Sequence, residues 1–188
     1  MKVLLGSLLV LLLGATAQQP VALTYTLNPA GSRLVWTGYA EAGSYAPSGT
    51  LRLAPGGTLV ATSATDLRAA RVLVDVRTLA HDNPTLQNHL RGADFFDVTH
   101  FPTALFELDR VAGGQAQGHL TLKGQTRAVQ VPVTITPIGP DSLLLQGTMR
   151  LDRTQFGINY NSSSFFQNLG SYAIRNDFQL TFHLKAGR

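Results

Sequence analysis

Five histidines are the residues of this chain best suited to metal binding or proton transfer: His81, His89, His100, His119 and His183. His119 and His183 fall on the outward parity of alternating segments. His81, His89 and His100 bracket a short predicted helix, which leaves open a weak Zn²⁺ or Cu²⁺ site against the plainer reading of ordinary surface histidines. Glu107 and Asp109 share one face of a predicted strand, but it is the polar face, so they read as a solvated edge rather than an acid/base pair. The 188 residues include no Cys, which excludes disulfides, thiolate metal sites and Cys nucleophiles. No Gly-x-Ser-x-Gly elbow, His-Glu-x-x-His pair, Gly-rich phosphate loop or EF-hand spacing occurs. These readings give no catalytic residue, no cofactor and no metal site. His89 and Arg91 are the candidates for meeting a polar head group, because they lie at a helix C-terminus and Arg presents a planar fork of donors. The alternatives are a solvated helix end or a salt bridge to Asp94 or Asp97, and those two carboxylates can also cap the Phe-rich turn.

The elements that would position these groups are strands. Val129, Val131, Val133 and Ile135 alternate with polar or small residues. So do Leu143, Leu145, Gly147, Met149 and Leu151, and again Phe178, Leu180, Phe182 and Leu184. Ala104, Phe106 and Leu108 form a fourth such set. Strict alternation means one buried and one wetted face. Pro55-Gly56-Gly57, Gly113-Gly114, Lys123-Gly124-Gln125 and Gly139-Pro140-Asp141 punctuate the strands at hairpin spacing. The pattern predicts an all-β, antiparallel barrel of about eight strands, in a single domain over 18–188. An interior of that size is either filled by side chains or wide enough for one small apolar ligand.

One short α-helix is expected near the barrel mouth over 83–91, with Asn83 as cap, Pro84 at the first position and Gly92 as stop. Residues 154–172 read as a long irregular loop carrying Phe156, Tyr160, Phe165, Phe166 and Tyr172. Phe165 and Phe166 there either cap the cavity or close the bottom of the barrel. Phe95 and Phe96 are read as fastening the helix, although lining is the alternative. Trp36, Phe106, Met149, Leu180 and Phe182 stand on inward parity and are the candidate lining residues, with a structural core role the alternative for Trp36.

The charge is mild, with 15 Lys plus Arg against 11 Asp plus Glu and no basic stripe, which disfavours nucleic acid. Lys2, the apolar run 3–13 and Ala15-Thr16-Ala17 read as a bacterial secretory leader over 1–17, cleaved before Gln18. No later stretch reaches 18 consecutive apolar residues, so no stable membrane insertion of the mature chain is expected, and the expected location is periplasmic or secreted.

Several stretches resemble the YceI-like family. They are His89-Leu90-Arg91-Gly92-Ala93-Asp94-Phe95-Phe96-Asp97-Val98 with Phe101-Pro102-Thr103-Ala104-Leu105-Phe106, and Gly118-His119-Leu120-Thr121-Leu122-Lys123-Gly124-Gln125-Thr126-Arg127. Asn28 to Leu34 resembles the family's opening strand, and Phe156 to Phe178 the closing third of one branch of it. Gly31 stands where many members have His, and the stretch from Trp36 to Gly49 is short. The resemblance implies an exported, lipocalin-like barrel holding a long apolar molecule such as a polyisoprenoid or fatty amide, with no catalytic residues to carry over. It favours a lipid carrier over a filled barrel acting as a non-enzymatic envelope interaction module, and over an enzyme working on a lipid.

Overall fold

Side chains that alternate in and out along every strand force a sheet either to stack or to close, and here it closes. The computed structural model describes residues 21–63 and 66–188. The leader read over 1–17 lies outside the described residues. The strands are β1 (Leu23–Leu27), β2 (Arg33–Thr37), β3 (Ser48–Leu53), β4 (Thr58–Ser63), β5 (Asp66–Ala80) and β6 (Thr103–Ala112). They continue as β7 (Gln115–Leu122), β8 (Gln125–Pro132), β9 (Thr134–Gly139), β10 (Ser142–Asp152) and β11 (Asp177–Gly187). All pair antiparallel in one sheet. β11 pairs with β10 from Asp177 to Gly187 on one edge and with β2 and β1 on the other. β5 pairs with β6 on one side and with β3 and β4 on the other, which carries the ring round.

The eleven strands occupy eight positions in that ring, because β1/β2, β3/β4 and β8/β9 are each one position broken by a kink. The first kink is held by Asn28, whose Oδ1 accepts from Gly31 N at 3.0 Å. The second is Pro55-Gly56-Gly57, with Gly56 at φ +89°. That segment read as a hairpin in the sequence; both halves instead run the same way against β5, so it bends one strand position. Gly113-Gly114 and Lys123-Gly124 do make two-residue hairpins, with positive φ at both residues as a type I′ turn requires.

The long connections 38–47, 81–102 and 153–176 all leave from one end of the ring, opposite the Gly113-Gly114 and Pro140-Asp141 turns. At this loop end α1 (Pro84–Arg91) begins as the sequence predicts: Asn83 Oδ1 accepts from Thr85 N and Leu86 N at 2.9 and 3.3 Å, with Pro84 in the first turn. Leu90 is its buried residue. Two consecutive carbonyls at the end of β5 hold this region together. Arg91 Nε donates to Leu79 O at 2.9 Å, and Trp36 Nε1 donates to Ala80 O at 3.3 Å. Gly49 faces Trp36 across the β2–β3 pair, and a Cβ there would strike both Ala80 O and the indole.

The 153–176 connection is built around Arg153. The residue is 4% exposed, and its guanidinium donates to Arg175 O, Ile158 O and Ile174 O at 3.0, 2.7 and 3.0 Å. Phe156 and Ile158 bury beside it, and Gly157 at φ +72° ends the 3₁₀ turn Arg153–Phe156. The same connection is zipped to 38–47. Ala40 bridges Ile174, Glu41 N donates to Ala173 O at 2.9 Å, and Arg175 N donates to Tyr39 O at 3.0 Å.

Two substitutions test this framework. Gly49→Ala is expected to cost about 2 kcal/mol or more, since the clash is with backbone and a packed ring. The measurement is urea denaturation, with Trp36 emission reporting loss of the indole hydrogen bond. Arg153→Met removes the donor from the buried Ile158 carbonyl and from the half-buried Ile174 and Arg175 carbonyls, and is expected to cost about 3 kcal/mol in the same assay.

Candidate ligand cavity

The inward faces of the strands enclose a cavity of about 820 Å³. At about 30 Å³ per water, that space would take roughly two dozen waters, yet the barrel wall is almost wholly apolar. Three small wall residues, Ala70, Ala104 and Ala116, are buried and keep the middle of the ring open. Trp36, Phe106, Met149, Leu180 and Phe182 all stand on the wall. Their parity places them there, and closing the ring turns each face inward.

The polar lining groups gather at the loop end. His89 projects from α1 into the wall, and its ring packs edge-on against Phe95 and Tyr160 with centroids 5.1 and 4.6 Å away. Its Nε2 is buried with no hydrogen-bond partner. Phe95 and Tyr160 are 5.2 Å apart, and Arg153 lies over the Phe95 ring at 5.9 Å. Burial pulls the Arg153 guanidinium below its usual value, and the neighbouring Asp152 charge offsets part of that. The other charged wall residues, Arg175 and Asp177, are paired with each other at 2.8 and 2.9 Å.

Arg91 does not line the cavity. Its guanidinium reaches the Leu79 carbonyl and ties α1 to β5, and it pairs with neither Asp94 nor Asp97. A buried main-chain acceptor lay within the side chain's reach, which residue spacing alone does not reveal. Asp97 instead sits at φ +46° and binds His100 Nδ1 at 2.8 Å, shaping the turn after α1. The three histidines around α1 have separate surroundings: His81 lies against Trp36, His89 against Phe95 and Tyr160, and His100 against Asp97. Among the described residues no group of three His, Asp or Glu side chains gathers as a metal site would require.

Phe95 and Phe96 both fasten and line: Phe95 is buried, Phe96 meets Phe178 edge-to-face at 6.3 Å, and both reach the cavity. Phe165 and Phe166 neither cap the cavity nor close the bottom. They are exposed, on the loop end of the ring, and off the wall. Reading from spacing missed Arg153 and Tyr160. Asp152-Arg153-Thr154 looks like a polar turn, and nothing local signals that its Arg is buried. The cavity meets the surface beside Tyr45, Thr85 and Tyr172, which are lining residues and exposed. Among the described residues no helix is long and apolar enough to cross a membrane.

The structure resembles several solved barrels. Burkholderia cenocepacia BcnA superposes with a TM-score of 0.68 at 21% identity, over 85% of this chain and 98% of that one. A polyisoprenoid binding domain from Saccharophagus degradans, implicated in plant cell wall breakdown, gives 0.67 at 11% identity, over 87% and 97%. The Campylobacter jejuni YCEI protein gives 0.57 at 16% identity, over 71% and 80%. At these identities the likeness is one of fold. In sequence, a UPF0312 protein of Vibrio cholerae is 32% identical over 108 residues, 52% of this chain and 57% of the relative's length. A Staphylococcus aureus UPF0312 protein is 28% identical over 89 residues, 43% of this chain and 51% of that relative. The YceI-like domain model matches residues 25–186, nearly every residue of the ring from β1 to β11, and the chain belongs to the YceI-like family.

Proposed function

We propose that this protein is a carrier that takes one long-chain amphiphile, of the polyisoprenoid class or similar, into its barrel. The observation that carries the reading is the hollow interior: about 820 Å³ behind an apolar wall. A barrel serving only as a scaffold for surface contacts would be filled by its own side chains. On the order of 20 methylene-sized groups fit the space. At about 0.8 kcal/mol per CH₂ buried, such a chain gains on the order of 16 kcal/mol before association costs. The Saccharophagus degradans neighbour, named for polyisoprenoid binding, supports the ligand class by analogy of fold.

The wall's asymmetry supports one orientation. The tail lies among Phe106, Met149, Leu180 and Phe182, and the head lies toward the loop end, near His89, Tyr160 and Arg153. Trp36, bonded to Ala80 O, stands on the wall opposite Leu180 as a fixed contact. The leader read over 1–17 supports export, so the proposed setting is an aqueous envelope compartment in which a free tail would be insoluble.

Native mass spectrometry of the protein purified from its own envelope, followed by organic extraction, tests the reading. The expected result is one lipid per chain. A clean apo mass with no uptake of offered polyisoprenoids or fatty amides would overturn it. Phe106→Asp places a charge on the apolar wall and is expected to cut loading at least tenfold, since an unpaired charge beside a hydrocarbon chain costs about 2 kcal/mol or more. A thermal melt alongside separates lost loading from lost folding.

A further inference from the structure

Among the described residues six large hydrophobic side chains are exposed: Val21, Tyr45, Ile138, Phe165, Phe166 and Tyr172. Val21 precedes the first strand and Ile138 lies at the turn end of the ring. The other four sit on the two connections zipped together at the loop end. Tyr172 is 77% exposed, Tyr45 64%, Phe165 55% and Phe166 49%. Main-chain and side-chain bonds hold them in one region. Ala40 N donates to Tyr45 O at 2.9 Å, and Ala40 bridges Ile174, two residues after Tyr172. Ser163 Oγ donates to Glu41 Oε1 at 2.9 Å, and both Phe165 N and Phe166 N donate to Ser162 O at 3.0 and 2.9 Å. Ser162 is itself fully buried and bonded to Asn176 Oδ1 at 2.6 Å, so the two Phe residues project from a fixed turn.

We infer that this aromatic rim docks the barrel mouth onto a lipid bilayer surface, where cargo enters and leaves without crossing water. The inference rests on the carrier reading. Three observations favour a bilayer over a protein partner. The rim is continuous with the cavity, since Tyr45 and Tyr172 belong to both the exposed set and the lining. A long-chain amphiphile resides in bilayers, so direct loading from one brings the cavity entrance to its surface. The residue types also match the membrane–water interface, where Tyr places an apolar ring inward and a hydroxyl at the head groups. The four rings stand on the two connections, Tyr172 in the 3₁₀ turn Gly170–Tyr172, and would enter only the interfacial layer.

Sedimentation with unilamellar phosphatidylcholine vesicles tests this, using the full exported chain. The wild type is expected to partition onto the vesicles. The double variant Phe165→Ser/Phe166→Ser is expected to lose partitioning by on the order of tenfold or more, from the apolar area removed. Ile138→Ser, at the opposite end, is expected to bind as the wild type does. In Phe166→Trp, emission is expected to shift to the blue on adding vesicles. Both Phe positions are exposed and off the cavity wall, so the double variant is expected to retain lipid loading in native mass spectra. A wild type that loads lipid but ignores vesicles would overturn the docking and leave the carrier reading standing. Equal partitioning of wild type and double variant would also overturn it, as would a rim-dependent dimer in place of vesicle binding. Failure to load any lipid in any format would overturn the carrier reading and this inference with it.

Discussion

An antiparallel sheet that closes on itself leaves no edge to pair with another chain, and closure here also decides what the interior holds. Once β11 meets both β10 and the β1/β2 position, every inward side chain faces another across the ring. Whether that space is full depends on side-chain size. Ala70, Ala104 and Ala116 on the wall leave the centre open, while Phe182 and Leu184 fill around it. Glycine permits the tight approaches. A Cβ at Gly147 would strike the Pro132 carbonyl where β10 runs beside the β8/β9 kink, so that position in the ring accepts no larger residue.

Closure also separates two kinds of structure. The turn end is made of short hairpins whose shape is local, such as Gly113-Gly114. The loop end has to span the ring, and it does so with hydrogen bonds from side chains to main-chain carbonyls: Arg153 to three carbonyls, Arg91 to Leu79 O, Trp36 to Ala80 O. Each uses a side-chain donor to satisfy a main-chain carbonyl. The polar groups of the cavity therefore appear where irregular backbone had to be satisfied, and the apolar wall appears where strands pair.

This division explains what could be read from residues alone. Period-two alternation placed Trp36, Phe106, Met149, Leu180 and Phe182 on one wall because a strand's geometry fixes the direction of every side chain. Asn83-Pro84 and Gly92 bounded α1 because capping is local. Arg91, Arg153 and the Phe165-Phe166 pair were not legible. Their environments are set by contacts 12 and 22 residues away for the two arginines, and for Phe165-Phe166 by a turn anchored on Ser162. Pro55-Gly56-Gly57 carries hairpin residues yet only bends a strand position, since β3 and β4 are both bonded to β5 and cannot fold back on each other.

The same division bears on how a ligand passes the loop end. The 38–47 and 153–176 connections are joined to one another through Ala40–Ile174, Glu41–Ala173 and Tyr39–Arg175, and the second is anchored internally by Arg153. The 81–102 segment is tied differently. Its hydrogen bonds run to β5 through Arg91 and to the β7–β8 turn, where Lys123 Nζ donates to Ala93 O at 2.9 Å. Across the line between α1 and the zipped pair, contacts are side-chain packing, His89 and Phe95 against Tyr160, and beside it Phe96 packs on Phe178 of β11. Ring packing can part and re-form without leaving a backbone group unsatisfied, whereas opening the zipped pair would strand several. The exposed lining residues Tyr45, Thr85 and Tyr172 belong to these two sides, so the cheapest opening coincides with the place where the cavity already meets the surface.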